Sequence, residues 1–112
     1  MIARRLVAEA LGTAGLLLAV VGSGITTGVD GAVSTQLFQH AVVVGAALAA
    51  LIVTFGWVSG GHFNPAVTLL DAVFGGIGPG VAAGYVAAQM AGVVVGVVGA
   101  NLLLGVPTVA IA

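Results

Sequence analysis

Three long apolar stretches dominate the sequence, running from about Leu6 to Thr27, Leu37 to Val58 and Val81 to Val106. A helix needs about 20 apolar residues to cross ~30 Å of hydrocarbon, and each stretch reaches that length. Backbone inside lipid has no water to bond, so each stretch is predicted to be a spanning helix that satisfies its own amides and carbonyls. Charge agrees with this. Only 4% of the residues are charged and 61% are hydrophobic, whereas soluble domains carry about a quarter charged residues. That scarcity excludes a water-soluble globule, a disordered chain and a nucleic-acid-binding surface. Cysteine is absent, which removes disulfides, thiolate metal sites and cysteine nucleophiles.

Arg4 and Arg5 are the only Lys or Arg residues and precede the first stretch. A basic start before an apolar run also suits a signal peptide, but Glu9 and Gly12 interrupt its apolar region and the run is long for one. As a span, it places the N-terminus in the cytoplasm by the positive-inside rule, with the Asp30 loop outside, Ser59 to Gly80 on the cytoplasmic side and the C-terminus outside. The expected location is the plasma membrane.

Between the second and third stretches lies "SGGHFNPAVTLLDAVFGG", Ser59 to Gly76. Asn favours the N-cap and Pro the first helical position, so Asn64 and Pro65 predict a helix from Pro65 to about Phe74. Ten residues span ~15 Å, half of the hydrocarbon. A re-entrant loop and half-helix over about 59–75 is the predicted arrangement; a surface helix with an ordinary Asn-Pro cap is the competing one. Pro79 suits the start of the third span.

Several polar residues fall in apolar surroundings. Glu9, inside the first span, must be paired or snorkel to the interface. Gln89, in mid-span, suits bonding to another helix. Thr68 can bond back to a backbone carbonyl, Trp57 and Tyr85 are expected near interfaces, and Asp71 has no assigned role. His62 either faces a pathway or anchors its loop; His40 falls near the outer end of the second span, so no metal cluster is expected. Ser59, His62 and Asp71 make no recognisable nucleophile, base and orienter set, and no enzyme activity is expected. Small residues recur at Gly80, Gly84, Ala88, Gly92, Gly96 and Ala100, and at Ala41, Gly45 and Ala49, spacings that admit a closely packed helix.

The block "SGGHFNPAVTL" resembles the first Asn-Pro-Ala signature of the aquaporin and glycerol-facilitator family. "RRLVAEALGT" at Arg4 to Thr13 is similar to the start of that family's first span, and "GYVAAQMAGVVVG" at Gly84 to Gly96 to its third. The three blocks follow in the family's order over essentially the whole chain. The resemblance implies an all-α membrane fold: an aquaporin-like half-repeat of three transmembrane helices and one re-entrant half-helix, forming one domain over 1–112. It implies a channel for water or small neutral solutes such as glycerol, without a cofactor, and a tetramer of complete pores. Asn64, Pro65 and Ala66 would form the Asn-Pro-Ala motif. Asn64, with the carbonyls of Gly60, Gly61 and His62, would line the pore, the glycines permitting a strained, extended backbone. Glu9 and Gln89 would brace the loop.

Two departures matter. The family's aromatic filter position falls at Val44, whose smaller side chain implies a wider filter. The second half of the family's pore, with its own Asn-Pro-Ala and filter Arg, has no counterpart here, so a second, inverted half is needed. Three crossings would place a directly joined copy upside down, as such a half requires. A partial sequence of a full channel fits better than a homodimer, because Arg4 and Arg5 bias every copy to one orientation. The alternatives are a small proton-coupled multidrug exporter using Glu9, and a non-conducting product or scaffold subunit.

Overall fold

The computed structural model describes residues 1–27 and 32–105. Among the described residues four helices follow in order: α1 (Ile2–Thr27), α2 (Val33–Ser59), α3 (Pro65–Val73) and α4 (Pro79–Leu103). Three of them are long and apolar enough to cross a membrane, and α3, with nine residues, covers only ~14 Å. The Asp30 loop and Val106 lie outside the described residues.

All three spans start earlier than the apolar runs. α1 includes Arg4 and Arg5, and α2 includes Ser34, Thr35 and Gln36. Helical hydrogen bonding does not stop where apolarity stops: Arg5 N–H reaches the Met1 carbonyl at 3.4 Å and Gln36 N–H the Ala32 carbonyl at 3.1 Å. Polar first turns of this kind carry a helix beyond the hydrocarbon.

Pairings along the chain give the topology. Arg5 meets Tyr85, Glu9 meets Gln89, and Ala14 meets Gly92 and Gly96, so α1 and α4 run parallel. Ser23 meets His40 and Arg4 meets Trp57, so α1 and α2 run antiparallel. The molecule measures 45 × 26 × 22 Å, a length close to the ~40–45 Å of a bilayer with its headgroups.

Small residues set the closeness of α1 and α4. A Cβ on Gly92 would sit 2.5 Å from the Ala10 carbonyl oxygen and 2.9 Å from Thr13 Cβ, and one on Gly96 would overlap the Ala14 carbonyl. The backbones touch there, which only glycine permits. The α2 stripe behaves otherwise: Ala41, Gly45 and Ala49 are exposed, and nothing lies within 4 Å of a Cβ built on Gly45.

The interior reverses soluble logic. The largest fully buried side chains include Tyr85, Gln89, Glu9, Asn101, Thr13 and Thr68, while many leucines and valines face outward. In lipid, apolar side chains gain nothing by leaving the surface, and polar ones turn inward, away from the hydrocarbon.

Candidate functional site

The site forms where the chain leaves α2. Gly60 closes that helix in a left-handed conformation (φ 94°, ψ −7°), its N–H on the Gly56 carbonyl at 2.8 Å. Gly61 (φ 67°) and Phe63 (φ 55°) are also left-handed. The expected extended backbone over Gly60 and Gly61 is therefore corrected to a tight left-handed turn. Two positions are natural for glycine; Phe63 is strained there.

What holds Phe63 is packing and one hydrogen bond. Its ring is buried, lies edge-on to Phe55 with centroids 6.4 Å apart, and occupies the space where a Cβ on Gly12 would be. Its N–H donates to Glu9 Oε1 at 2.9 Å. Gly12 is therefore the seat of the loop, a role that no local sequence signal marks.

Glu9 is fully buried. Oε2 accepts from the Ser59 hydroxyl at 2.6 Å and from His62 N–H at 3.2 Å; Oε1 accepts from Phe63 N–H and from Gln89 Nε2, both at 2.9 Å. Four donors fill the acceptor capacity of an ionised carboxylate. The snorkelling alternative is corrected by this geometry, because the carboxylate points into the protein.

Gln89 uses both amide hydrogens, one on Glu9 and one on Thr68 Oγ1 at 2.8 Å. Its orientation follows from the network, since Glu9 needs a donor on that side. Thr68 Oγ1 also meets His62 Nδ1 at 2.8 Å. The expected bond of Thr68 back to a carbonyl is thus replaced by bonds to α4 and the loop, because its hydroxyl faces the buried side of α3.

His62 is bonded at both ring nitrogens, with Nε2 3.2 Å from Asp71 Oδ2. Nε2–H donates to the carboxylate and Nδ1 accepts the Thr68 hydroxyl, an assignment that matches donor to acceptor at both contacts. Asp71 thereby acquires a partner that its sequence position did not suggest. The structure brings His62 and Asp71 together, while the Ser59 hydroxyl goes to Glu9.

Tyr85 packs inside the protein near the starts of α1 and α4. It is fully buried, donates to the Ser59 carbonyl at 2.6 Å and accepts from Arg5 Nε at 2.9 Å. Its ring also meets that of His62 edge-on at 5.1 Å. Trp57 is 76% exposed at the end of α2, with the Arg4 guanidinium 5.8 Å from its ring centre.

Depth follows from these partners. Gly12, which faces Phe63, lies ~15 Å along α1, and Gln89, which faces Thr68, ~15 Å along α4. Gly84 and Leu6, near the starts of α4 and α1, meet again at the end from which the loop entered. The chain therefore enters and leaves from the same end, and α3 begins about midway along the length of the bundle.

At that start, Asn64 (φ −158°, ψ 127°) caps α3 by accepting from Ala66 N–H at 2.8 Å through Oδ1. Pro65 occupies the first helical position. The Asn64 side chain is exposed, and its NH₂ has no partner among the described residues. Gly60 is exposed and Gly61 half-buried, and among the described residues nothing donates to the carbonyls of Gly60, Gly61 or His62. Val44 is not part of this cluster; a rise of about 22 Å along α2 separates it from Ser59. Among the described residues there is no group of His, Asp or Glu that could hold a metal ion.

A family profile described as "Major intrinsic protein" matches residues 1–109. Aquaglyceroporin AqpS of Rhizobium meliloti (strain 1021) is 44% identical over 107 residues, covering 93% of this chain and 45% of that protein. The neurogenic protein big brain of Drosophila melanogaster is 40% identical over 103 residues, 92% of this chain and 14% of its own length. Aquaporin-8 of Mus musculus is 39% identical over 79 residues, 70% of this chain and 29% of its own. The chain spans less than half the length of these curated relatives.

Proposed function

The chain belongs to the major intrinsic protein family, and from that footing we propose that it forms one half of a transmembrane pore for water and small neutral solutes such as glycerol. The observation that carries this reading is Asn64: its Oδ1 is spent on the first turn of α3, which leaves its NH₂ as an exposed donor at the start of a helix that begins midway along the bundle. A solute oxygen would be held there, beside the positive end of the helix dipole, which disfavours cations and protons. Asn64, Pro65 and Ala66 act as the Asn-Pro-Ala motif, and the carbonyls of Gly60, Gly61 and His62 supply acceptors along the approach.

Glu9 and Gln89 serve as braces in this reading. The four donors on Glu9 support bracing over proton exchange, since both oxygens are already engaged. Val44 supplies the wider filter; one relative being an aquaglyceroporin supports glycerol among the solutes. Arg4 and Arg5 support a cytoplasmic N-terminus in the plasma membrane. A second, inverted half supplies the other ~15 Å of the pathway, and complete pores assemble as tetramers.

The test is flux through vesicles carrying the chain joined to an inverted half of the same family. Water and glycerol permeability should rise above lipid background with the joined protein and stay at background with the 112-residue chain alone. Asn64→Ala should lower flux in the joined protein, and Asn64→Asp, which keeps the cap but loses the donor, should lower it too. Unchanged flux in both variants, or robust flux from the lone chain at first-order dose dependence, would overturn the reading.

A further inference from the structure

The buried end of the hydrogen-bond network decides what its other end presents. Gln89 turns its NH₂ toward Glu9, and the second amide hydrogen reaches Thr68 Oγ1 at 2.8 Å. Thr68 keeps its own hydroxyl hydrogen to give, and His62 Nδ1, 2.8 Å away, receives it. A neutral imidazole that accepts at one nitrogen carries its proton at the other, so His62 is held with its N–H at Nε2. That nitrogen lies 3.6 Å from where a Cβ on Gly60 would be, beside the carbonyls assigned above to the approach. An unpaired N–H there would add a donor to a row of acceptors. We propose that Asp71 is a positioning residue: its carboxylate takes up the His62 N–H and so keeps the approach to Asn64 free of an imidazole donor.

Local structure puts the carboxylate where this task requires it. Thr68 and Asp71 are three residues apart on α3, hence neighbours on one helix face. The imidazole lies across both, with Nδ1 on Thr68 and Nε2 3.2 Å from Asp71 Oδ2. Oδ1 is directed at the chain's exit from α3, where it occupies the space that a Cβ on Gly76 would need. Gly76 N–H in turn bonds the Asp71 carbonyl at 2.9 Å. Glycine at this position therefore gives the carboxylate room to reach between the entering loop and the exit. Among the described residues no other carboxylate can serve, because Glu9 is fully buried under four donors.

This inference rests on the pore reading and deepens it. Through His62, Asp71 separates the two kinds of hydrogen bond that a solute is offered: acceptors along Gly60, Gly61 and His62, then the donor of Asn64.

Two experiments test it. Nitrogen-15 spectra of the histidine-labelled 112-residue chain in phosphatidylcholine vesicles are recorded at a pH of about 8.5, where an ordinary imidazole is neutral, with His40→Gln to assign the signals. His62 should be protonated at Nε2; protonation at Nδ1 would overturn the proposal. Flux is then compared, per folded molecule, in the chain joined to an inverted half. Asp71→Leu should lower water and glycerol permeability by about fivefold, the factor that one hydrogen bond commonly carries, whereas Asp71→Asn, whose amide oxygen still accepts, should stay within about twofold of wild type. In the Asp71→Leu background, His62→Phe removes the donor and should restore most of the flux. Unchanged flux in Asp71→Leu, or an equal loss in Asp71→Asn, would overturn the proposal, and a double variant as slow as Asp71→Leu would overturn it in favour of a purely structural clasp. Absence of flux from the joined wild type would instead overturn the pore reading, and this inference with it.

Discussion

The Ser59 hydroxyl donates to Glu9 Oε2 at 2.6 Å across fifty residues of sequence, tying the last residue of α2 to the interior of α1. From that tie the chain turns left-handed through Gly60, Gly61 and Phe63 and begins α3 midway along the bundle. The carboxylate thus does what water does for a loop at a soluble surface: it accepts the hydrogens of a backbone that has left its helix.

Glu9→Gln should test that dependence. The amide keeps the size but turns one acceptor into a donor facing donors, so at least one buried group loses its partner, at a cost of about 1–3 kcal/mol. The expected result is earlier unfolding of detergent-solubilised protein in an SDS titration followed by circular dichroism. An unchanged transition would mean that the loop is held chiefly by the Phe63 ring.

Glycines at equal spacing should behave oppositely on two helices. Gly96→Ala forces a methyl group into the Ala14 carbonyl and should destabilise by about 1–3 kcal/mol. Gly45→Ala meets nothing within 4 Å and should be neutral or stabilising by up to ~1 kcal/mol through helix propensity. The two SDS midpoints, measured side by side, check this; similar shifts would contradict the parallel packing of α1 and α4.

Tyr85→Phe deletes the hydroxyl between Arg5 Nε and the Ser59 carbonyl while keeping the ring beside His62. A net loss of about 1–2 kcal/mol is expected, located at the turn. Amide hydrogen exchange at Gly61, His62 and Phe63 should accelerate, with the middle of α4 unaffected. Uniform acceleration would show a global rather than a local effect.

Thr68→Val leaves Gln89 Nε2 and His62 Nδ1 each short of one partner and should cost about 2 kcal/mol, whereas Thr68→Ser, which retains the hydroxyl, should cost less than ~1 kcal/mol. Imidazole nitrogen shifts offer a second readout: loss of the Thr68 hydroxyl should change the Nδ1 resonance of His62. Equal stability of the two variants would remove the hydroxyl from the network.

The sequence by itself determined the elements whose cause is local. The three spans follow from how many consecutive apolar residues a bilayer requires, and the start of α3 at Pro65 follows from an Asn-Pro cap that acts within one helical turn. The spacing of Gly84, Gly92 and Gly96 likewise marked the face of α4 on which α1 lies. Tertiary structure alone decided which groups meet. Asp71 on His62, Tyr85 on Ser59 and Gly12 under the Phe63 ring are pairings in which neither partner carries a distinctive local pattern. The left-handed turn at Phe63 is of the same kind, because a phenylalanine has no intrinsic preference for it and is held there by Glu9 and Gly12 from α1. Periodicity and caps report what a segment does with its own backbone, whereas a buried hydrogen bond between residues fifty or eighty positions apart exists only once the helices have packed.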